Sequence, residues 1–311
     1  MKEIILNFPK QLTTELETYD LDKINYPIDY FLLVGMGGSH LAGDILKNLK
    51  PSLNLGIHSD YQLPQNLKTN SLIIIASYSG NTAETLNALT EAEDKNYPLV
   101  VITTGGQLWT EAENKNLPRI KIPGTGIPPR MALGYFLNSL ALITKDNDLA
   151  NQLSRITLTP DQLEENGQDL ADSLSGLVPL CYASASNSSL ALNWKIKLNE
   201  TGKTPAFWNV FPEMNHNEIE SLNTWPDNFI AILIKDENDD DKIKSRMTVF
   251  LELLKNHHKK YLLVELDGQS RLIKFLNNLI LADWVSYYLA QKQNLDPAQT
   301  PIIEEFKKLI N

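Results

Sequence analysis

Apolar residues in this chain fall into short runs that stop abruptly at glycine or hydroxyl side chains, and helical spacing follows most of the stops. A run of that kind is a buried strand feeding a loop and then a helix. Residues 30–34 form the first and end at a glycine turn, with helical spacing over residues 40–49. Residues 53–58 predict a second strand, 72–76 a third, and 81–95 the helix after it. Residues 99–103 predict a fourth strand ending at Gly105-Gly106, and 119–122 a short fifth. After Pro128-Pro129, residues 130–143 carry an amphipathic to apolar helix. Strands separated by helices imply a parallel, doubly wound sheet with ligand sites at the carboxyl ends of its strands.

Residues 145–172 are polar and acidic with weak periodicity, and read as a connector. The pattern then restarts. Strands are expected at 178–183, 229–234 and 261–266, and helices at 190–198, 243–256, 271–291 and 301–310. The expected fold is α/β, with two doubly wound parallel-sheet domains, helices on both faces, and domain limits of 1–150 and 151–311. The halves share an architecture without a clear residue-level repeat.

A length of 311 residues favours two domains over one core. The 42% hydrophobic and 21% charged content suits a soluble globular protein. A net charge of −10 argues against a dedicated nucleic-acid binder but leaves room for an anionic substrate in a locally positive pocket. Cys181 is the only cysteine, so no intrachain disulfide forms, and its apolar surroundings predict inert packing. Residues 1–9 hold too short an apolar run for a signal peptide, and no uncharged stretch reaches membrane-spanning length. A cytoplasmic protein without membrane or nucleic-acid partners is expected.

The chemistry gathers in a few segments. Ser77-Tyr78-Ser79-Gly80-Asn81-Thr82 follows an apolar strand and opens a helix. Three short hydroxyls there converge with the first helical amides, which favours an anion held by neutral donors. A capped helix is the simpler reading of the same residues. Gly35-Met36-Gly37-Gly38-Ser39 sits where a dinucleotide fingerprint would, with Asp60 placed for a ribose contact. His40 occupies its third glycine position, so the alternative is a backbone nest, Gly37-Gly38-Ser39, facing the hydroxyl loop. Pro128-Pro129 stiffens the approach to Arg130, a cation at a helix start and a candidate for an anionic intermediate. Glu200 ends the helix over residues 190–198, where the dipole would raise its pKa and improve it as a base. His216 lies in the loop Asn215-His216-Asn217-Glu218 as polar surface or as a proton shuttle. No second histidine or cysteine has ligand spacing, so no metal is expected, and no Gly-x-Ser-x-Gly elbow points to a hydrolase.

These segments together resemble the sugar isomerase (SIS) domain proteins, in particular the bifunctional phosphoglucose/phosphomannose isomerases. The resemblance spans nearly the whole chain. It includes Ala42-Gly43-Asp44, Pro128-Pro129-Arg130-Met131-Ala132-Leu133-Gly134, Trp194-Lys195, Asn199-Glu200, Ser270-Arg271-Leu272 and Asp283-Trp284-Val285-Ser286. It implies that Gly38, Ser39, Ser77, Ser79 and Thr82 bind the substrate phosphate. It implies that Arg130 stabilises an enediolate and that Glu200 moves the proton between C2 and C1. His216 would assist ring opening from the neighbouring subunit of a homodimer. Lys307 would line the site, and Thr300 would govern acceptance of both C2 epimers. No metal or organic cofactor is implied. His40 stands where the family usually has a small residue, and Asp296-Pro297-Ala298-Gln299-Thr300-Pro301 is longer than the family's Asp-Pro-Thr-Pro. The competing readings are a non-catalytic phosphosugar-sensing module, an isomerase of another phosphosugar, and a nicotinamide-dependent enzyme built on Gly35 to Asp60.

Overall fold

The computed structural model describes residues 1–68 and 70–310 and divides into two compact units. One comprises Asn7–Thr157. The other joins the short helix α1 (Lys2–Leu6) to the chain from Leu158 onward.

The first unit runs α2 (Phe8–Thr13), β1 (Glu17–Tyr19), β2 (Tyr30–Val34), α3 (Gly38–Leu49), β3 (Leu55–His58), β4 (Ser71–Ser77) and α4 (Ala83–Asp94). It continues with β5 (Leu99–Thr103), α5 (Gly106–Asn114), β6 (Arg119–Lys121), a 3-10 turn at Pro129–Met131, α6 (Leu133–Ile143) and α7 (Asn147–Arg155). Its sheet has the order β1-β6-β5-β4-β2-β3, parallel except for β1, which lies antiparallel to β6 with Glu17 opposite Lys121. Central β4 is buried from end to end, as its unbroken Leu72-Ile73-Ile74-Ile75-Ala76 run requires of a strand covered on both faces. Ile73 and Ile75 pack with Leu32, Val34 and Val101 against Ala88, Leu89 and Ala92 of α4 and Leu108 and Ala112 of α5. Full burial of each such aliphatic side chain contributes about 1.5–3 kcal/mol, so this face holds the strand ends in register.

The second unit continues with a 3-10 turn at Pro160–Leu163, α8 (Glu164–Leu174), β7 (Val178–Ser184), α9 (Ser188–Glu200) and β8 (Phe207–Phe211). After 3-10 turns at Glu213–His216 and Glu218–Thr224 come β9 (Phe229–Lys235), α10 (Asp241–Asn256), β10 (Lys260–Glu265), α11 (Arg271–Lys292) and α12 (Pro301–Ile310). Its sheet is wholly parallel, in the order β10-β9-β7-β8. Tyr182, Phe211 and Phe250 meet edge to face with centroids 5.7–6.3 Å apart. Behind the sheet, the Trp194 indole donates to Asn278 Oδ1 at 2.9 Å, and Lys197 of α9 pairs with Asp283 of α11, both buried. Cys181 is fully buried in β7, and burial pushes its thiol far up, which keeps it unreactive.

One expectation is corrected. Residues 145–172 are not a connector but hold α7 and α8. Helix α7 buries only Leu149 and Leu153 and is capped by Asp146, whose Oδ1 accepts from the Leu149 amide at 2.9 Å. Helix α8 packs through Gly167, Ala171 and Leu174, and a Cβ on Gly167 would fall 2.3 Å from that of Trp284. Its buried stripe is therefore made largely of residues with little or no side chain, which hydrophobic periodicity does not register. The edge strand β8 is additional to the strands expected from the sequence, and its Phe207 and Trp208 remain exposed. Helix α5 was also unexpected. It begins on a double glycine and buries only Leu108 and Ala112.

Candidate active site

The hydroxyl loop links β4 to α4. Ser77 closes the strand almost fully buried. Its Oγ lies 2.8 Å from Thr82 Oγ1 and accepts from the Gly80 amide at 3.1 Å. Ser79 Oγ accepts from the Asn81 amide at 3.3 Å. Thr82 is the N-cap of α4, yet its hydroxyl makes no cap hydrogen bond, since it meets Ser77 instead. The first-turn amides are thus left without a side-chain cap at the positive end of the dipole. Gly80 has φ +69°, and a Cβ there would fall 1.8 Å from the Gly105 carbonyl oxygen, so the turn needs glycine. The loop after β5 braces it. Thr104 Oγ1 donates to the Tyr78 carbonyl at 2.7 Å, and the Gln107 amide to Asn81 Oδ1 at 2.9 Å.

The glycine turn after β2 meets this loop because β2 and β4 are adjacent and parallel. Ser39 Oγ accepts from the Tyr78 amide at 3.1 Å. A Cβ on Gly38 would fall 2.5 Å from the backbone nitrogen of Arg130, so the Pro-Pro-Arg turn rests directly on the start of α3. Gly38, Ser39, Ser77, Ser79, Thr82 and Arg130 are therefore gathered by three converging segments. Here His40 Nδ1 lies 2.7 Å from Asp44 Oδ2, and Asp60 folds onto its own loop, its Oδ1 accepting from the Tyr61 amide at 2.7 Å.

Arg130 is 2% exposed. A residue that sequence reasoning missed fixes its turn: buried Gln11 of α2 donates from Nε2 to the Met131 carbonyl at 2.8 Å and accepts at Oε1 from the Gly134 amide at 3.1 Å. Both backbone groups sit where the 3-10 turn passes into α6, and both are satisfied by one side chain. The available signal was a glutamine inside the buried stripe Phe8, Gln11, Leu12.

In the second unit, Glu200 is the last residue of α9 and half-buried, so the helix runs further than residues 190–198. It lines a cavity of about 610 Å³ together with Asn199, Lys203, Thr300, Leu295 and Ile303, among others. Lys203 Nζ donates to the Glu200 carbonyl at 2.6 Å and also to the Gln299 carbonyl. One ammonium thus satisfies a helix-terminal carbonyl, offsets the negative end of the dipole, and ties α9 to the loop carrying Thr300. Gln293 adds a second tie, donating to the Gly202 carbonyl at 2.8 Å. Glu200 and Thr300 share this cavity. Lys307 lies further along α12, exposed and 2.8 Å from Glu304, and is not among the lining residues.

His216 is exposed at the end of the 3-10 turn Glu213–His216. Glu218 anchors the segment just after it. Its Oε2 accepts from the Tyr182 hydroxyl at 2.7 Å, and its Oε1 accepts from Asn209 Nδ2. Burial, and then the Glu218 hydrogen bond, pushes the Tyr182 phenol far above its usual range, so it stays a donor at any working pH.

The family model of the bacterial phospho-glucose isomerase C-terminal SIS domain matches residues 163–310. A bifunctional phosphoglucose/phosphomannose isomerase of Caldicellulosiruptor bescii is 32% identical, over 99% of this chain and 98% of its own. The protein of the same name from Aquifex aeolicus is 30% identical over 94% of each chain. The crystal structure of a hypothetical protein from Thermus thermophilus superimposes with a TM-score of 0.78 at 20% identity, over 99% of this chain and 89% of its own, a likeness of fold. Full-length similarity at this level, with the SIS model on the second half, places the chain in the bifunctional phosphoglucose/phosphomannose isomerase family.

Proposed function

We propose that the chain interconverts glucose 6-phosphate and mannose 6-phosphate with fructose 6-phosphate through a shared enediol intermediate. The observation that carries the reading is a carboxylate, Glu200, at the rim of a largely apolar-walled cavity that also holds Thr300. The hydroxyl loop with Gly38 and Ser39 grips the phosphate, and that remote binding energy aligns C1 and C2. Glu200 takes the proton from C2 of the aldose and returns it at C1. The Arg130 guanidinium faces the enediolate oxygens as charge develops there. His216 moves a proton in ring opening and comes from the partner of a homodimer. Lys307, on the exposed helix α12, is the remaining basic group assigned to the substrate. Among the described residues no helix is long and apolar enough to cross a membrane, which suits an enzyme of cytoplasmic sugar phosphates.

The test is a coupled assay of fructose 6-phosphate formation from each hexose phosphate. Turnover of either supports the proposal. Tight phosphosugar binding with no turnover of any aldose phosphate would assign the fold to sensing instead. A narrower expectation concerns the buried cation. Arg130→Met is expected to lower kcat by about 10²–10³-fold, the usual cost of losing one oxyanion-stabilising group. A melting curve run beside the assay separates that loss from unfolding.

A further inference from the structure

The turn that carries Arg130 is clamped by two helices of its own unit. On one side stands the start of α3, where a Cβ on Gly38 would fall 2.5 Å from the Arg130 nitrogen. On the other stands Gln11 of α2. After Arg130 the backbone passes from the 3-10 turn, closed by the Met131 amide donating to the Pro128 carbonyl at 2.8 Å, into the first turn of α6. Amides at such a helix start have no partner within their own helix. Gln11 serves this junction with both ends of its carboxamide. Nε2 donates to the Met131 carbonyl at 2.8 Å, and Oε1 accepts from the Gly134 amide at 3.1 Å.

The carboxamide is not what docks α2. Phe8 and Leu12 on the same stripe are buried, and Asn138 Nδ2 of α6 donates to the Thr14 carbonyl at 2.9 Å. Gly134 lets α2 and α6 approach until a Cβ on it would fall 2.6 Å from that of Gln11. An apolar side chain at residue 11 would complete the stripe, whereas a buried amide costs free energy unless it is hydrogen-bonded. Here it is bonded at both ends, and both bonds go to peptides that follow Arg130. Arginine is a long side chain, so a small rotation of its backbone moves the guanidinium most. Misplacing a reacting group by about 1 Å can cost on the order of 10²-fold in rate.

We propose that Gln11 is a positioning residue for the isomerisation, its carboxamide fixing the peptides that aim the Arg130 guanidinium at the developing enediolate. The inference rests on the role proposed above for Arg130. The test measures kcat, KM and the affinity for a hydroxamate mimic of the enediolate in Gln11→Met and Gln11→Glu, each alone and combined with Arg130→Met. Gln11→Met keeps the size of the side chain and loses both hydrogen bonds. Gln11→Glu still accepts from the Gly134 amide but sets a carboxylate oxygen against the Met131 carbonyl. Either is expected to lower kcat about 10–100-fold, to leave KM within about threefold of wild type, and to weaken the hydroxamate by a factor similar to that in kcat. On top of Arg130→Met, neither should cost more than about a further twofold, because the group being aimed is gone. A role in packing alone would neither follow the enediolate mimic nor vanish with Arg130. Where Gln11→Met fails to fold, Gln11→Glu decides in the same way. The proposal is overturned if the folded variant keeps the wild-type rate while Arg130→Met is impaired, if its loss falls on KM alone, or if that loss recurs in full beside Arg130→Met. It is also overturned if neither variant folds, since the carboxamide would then serve the fold. Undiminished turnover by Arg130→Met would overturn the role of Arg130 itself, and the inference with it.

Discussion

Glu200→Gln is expected to cut turnover by about 10²–10⁴-fold, the usual contribution of a positioned general base, while sugar-phosphate affinity stays within a few-fold of wild type. The amide keeps the size of the side chain and loses its basicity. The local fold should survive, because Lys203 and Asn199 hold this helix end through the Glu200 and Thr204 backbone carbonyls, which the substitution leaves in place. Affinity should survive because the proposed phosphate contacts belong to Gly38, Ser39, Ser77, Ser79 and Thr82. Initial rates of fructose 6-phosphate formation, set beside calorimetric binding of a hexose phosphate, separate the two quantities. A variant with near wild-type rate removes Glu200 from its assigned role.

Asp283→Asn is expected to destabilise the chain by about 3–5 kcal/mol, the usual cost of stranding one member of a buried ion pair. Lys197 is 1% exposed on α9 and Asp283 3% exposed on α11, so an uncompensated ammonium there has no route to water. Replacing both residues, as in Lys197→Met with Asp283→Leu, should recover most of the loss, since it removes the desolvated charges together. Urea denaturation of the two variants measures the difference. Equal destabilisation of the single and double variants would show that the pair matters through packing and not through charge.

The strands and the loops that follow them were legible because parallel strands buried on both faces must be continuously apolar, and β4 is the clearest case. The hydroxyl loop, the Pro-Pro-Arg turn and the Asn-Glu pair were legible because small hydroxyls, prolines and a helix-terminal acid each break the surrounding pattern. What stayed hidden had a physical reason. Gln11 acts at a distance of more than a hundred residues, and only the fold brings its amide to Met131. Glu218 stood beside His216 in the motif, but its value lies in Tyr182 and Asn209, on strands that sequence order does not align.

Helix α8 limits how this protein could be made sturdier. An internal glycine costs a helix about 1 kcal/mol relative to alanine, so Gly167 would be among the first positions a stabilisation campaign rewrites. That methyl would press 2.3 Å from the Cβ of Trp284, a fully buried indole whose Nε1 is fastened to the Pro160 carbonyl at 2.7 Å. Neither helix has room to retreat without giving up that contact. Propensity and proximity thus point in opposite directions at one residue, and the missing side chain is what sets the spacing of the two helices.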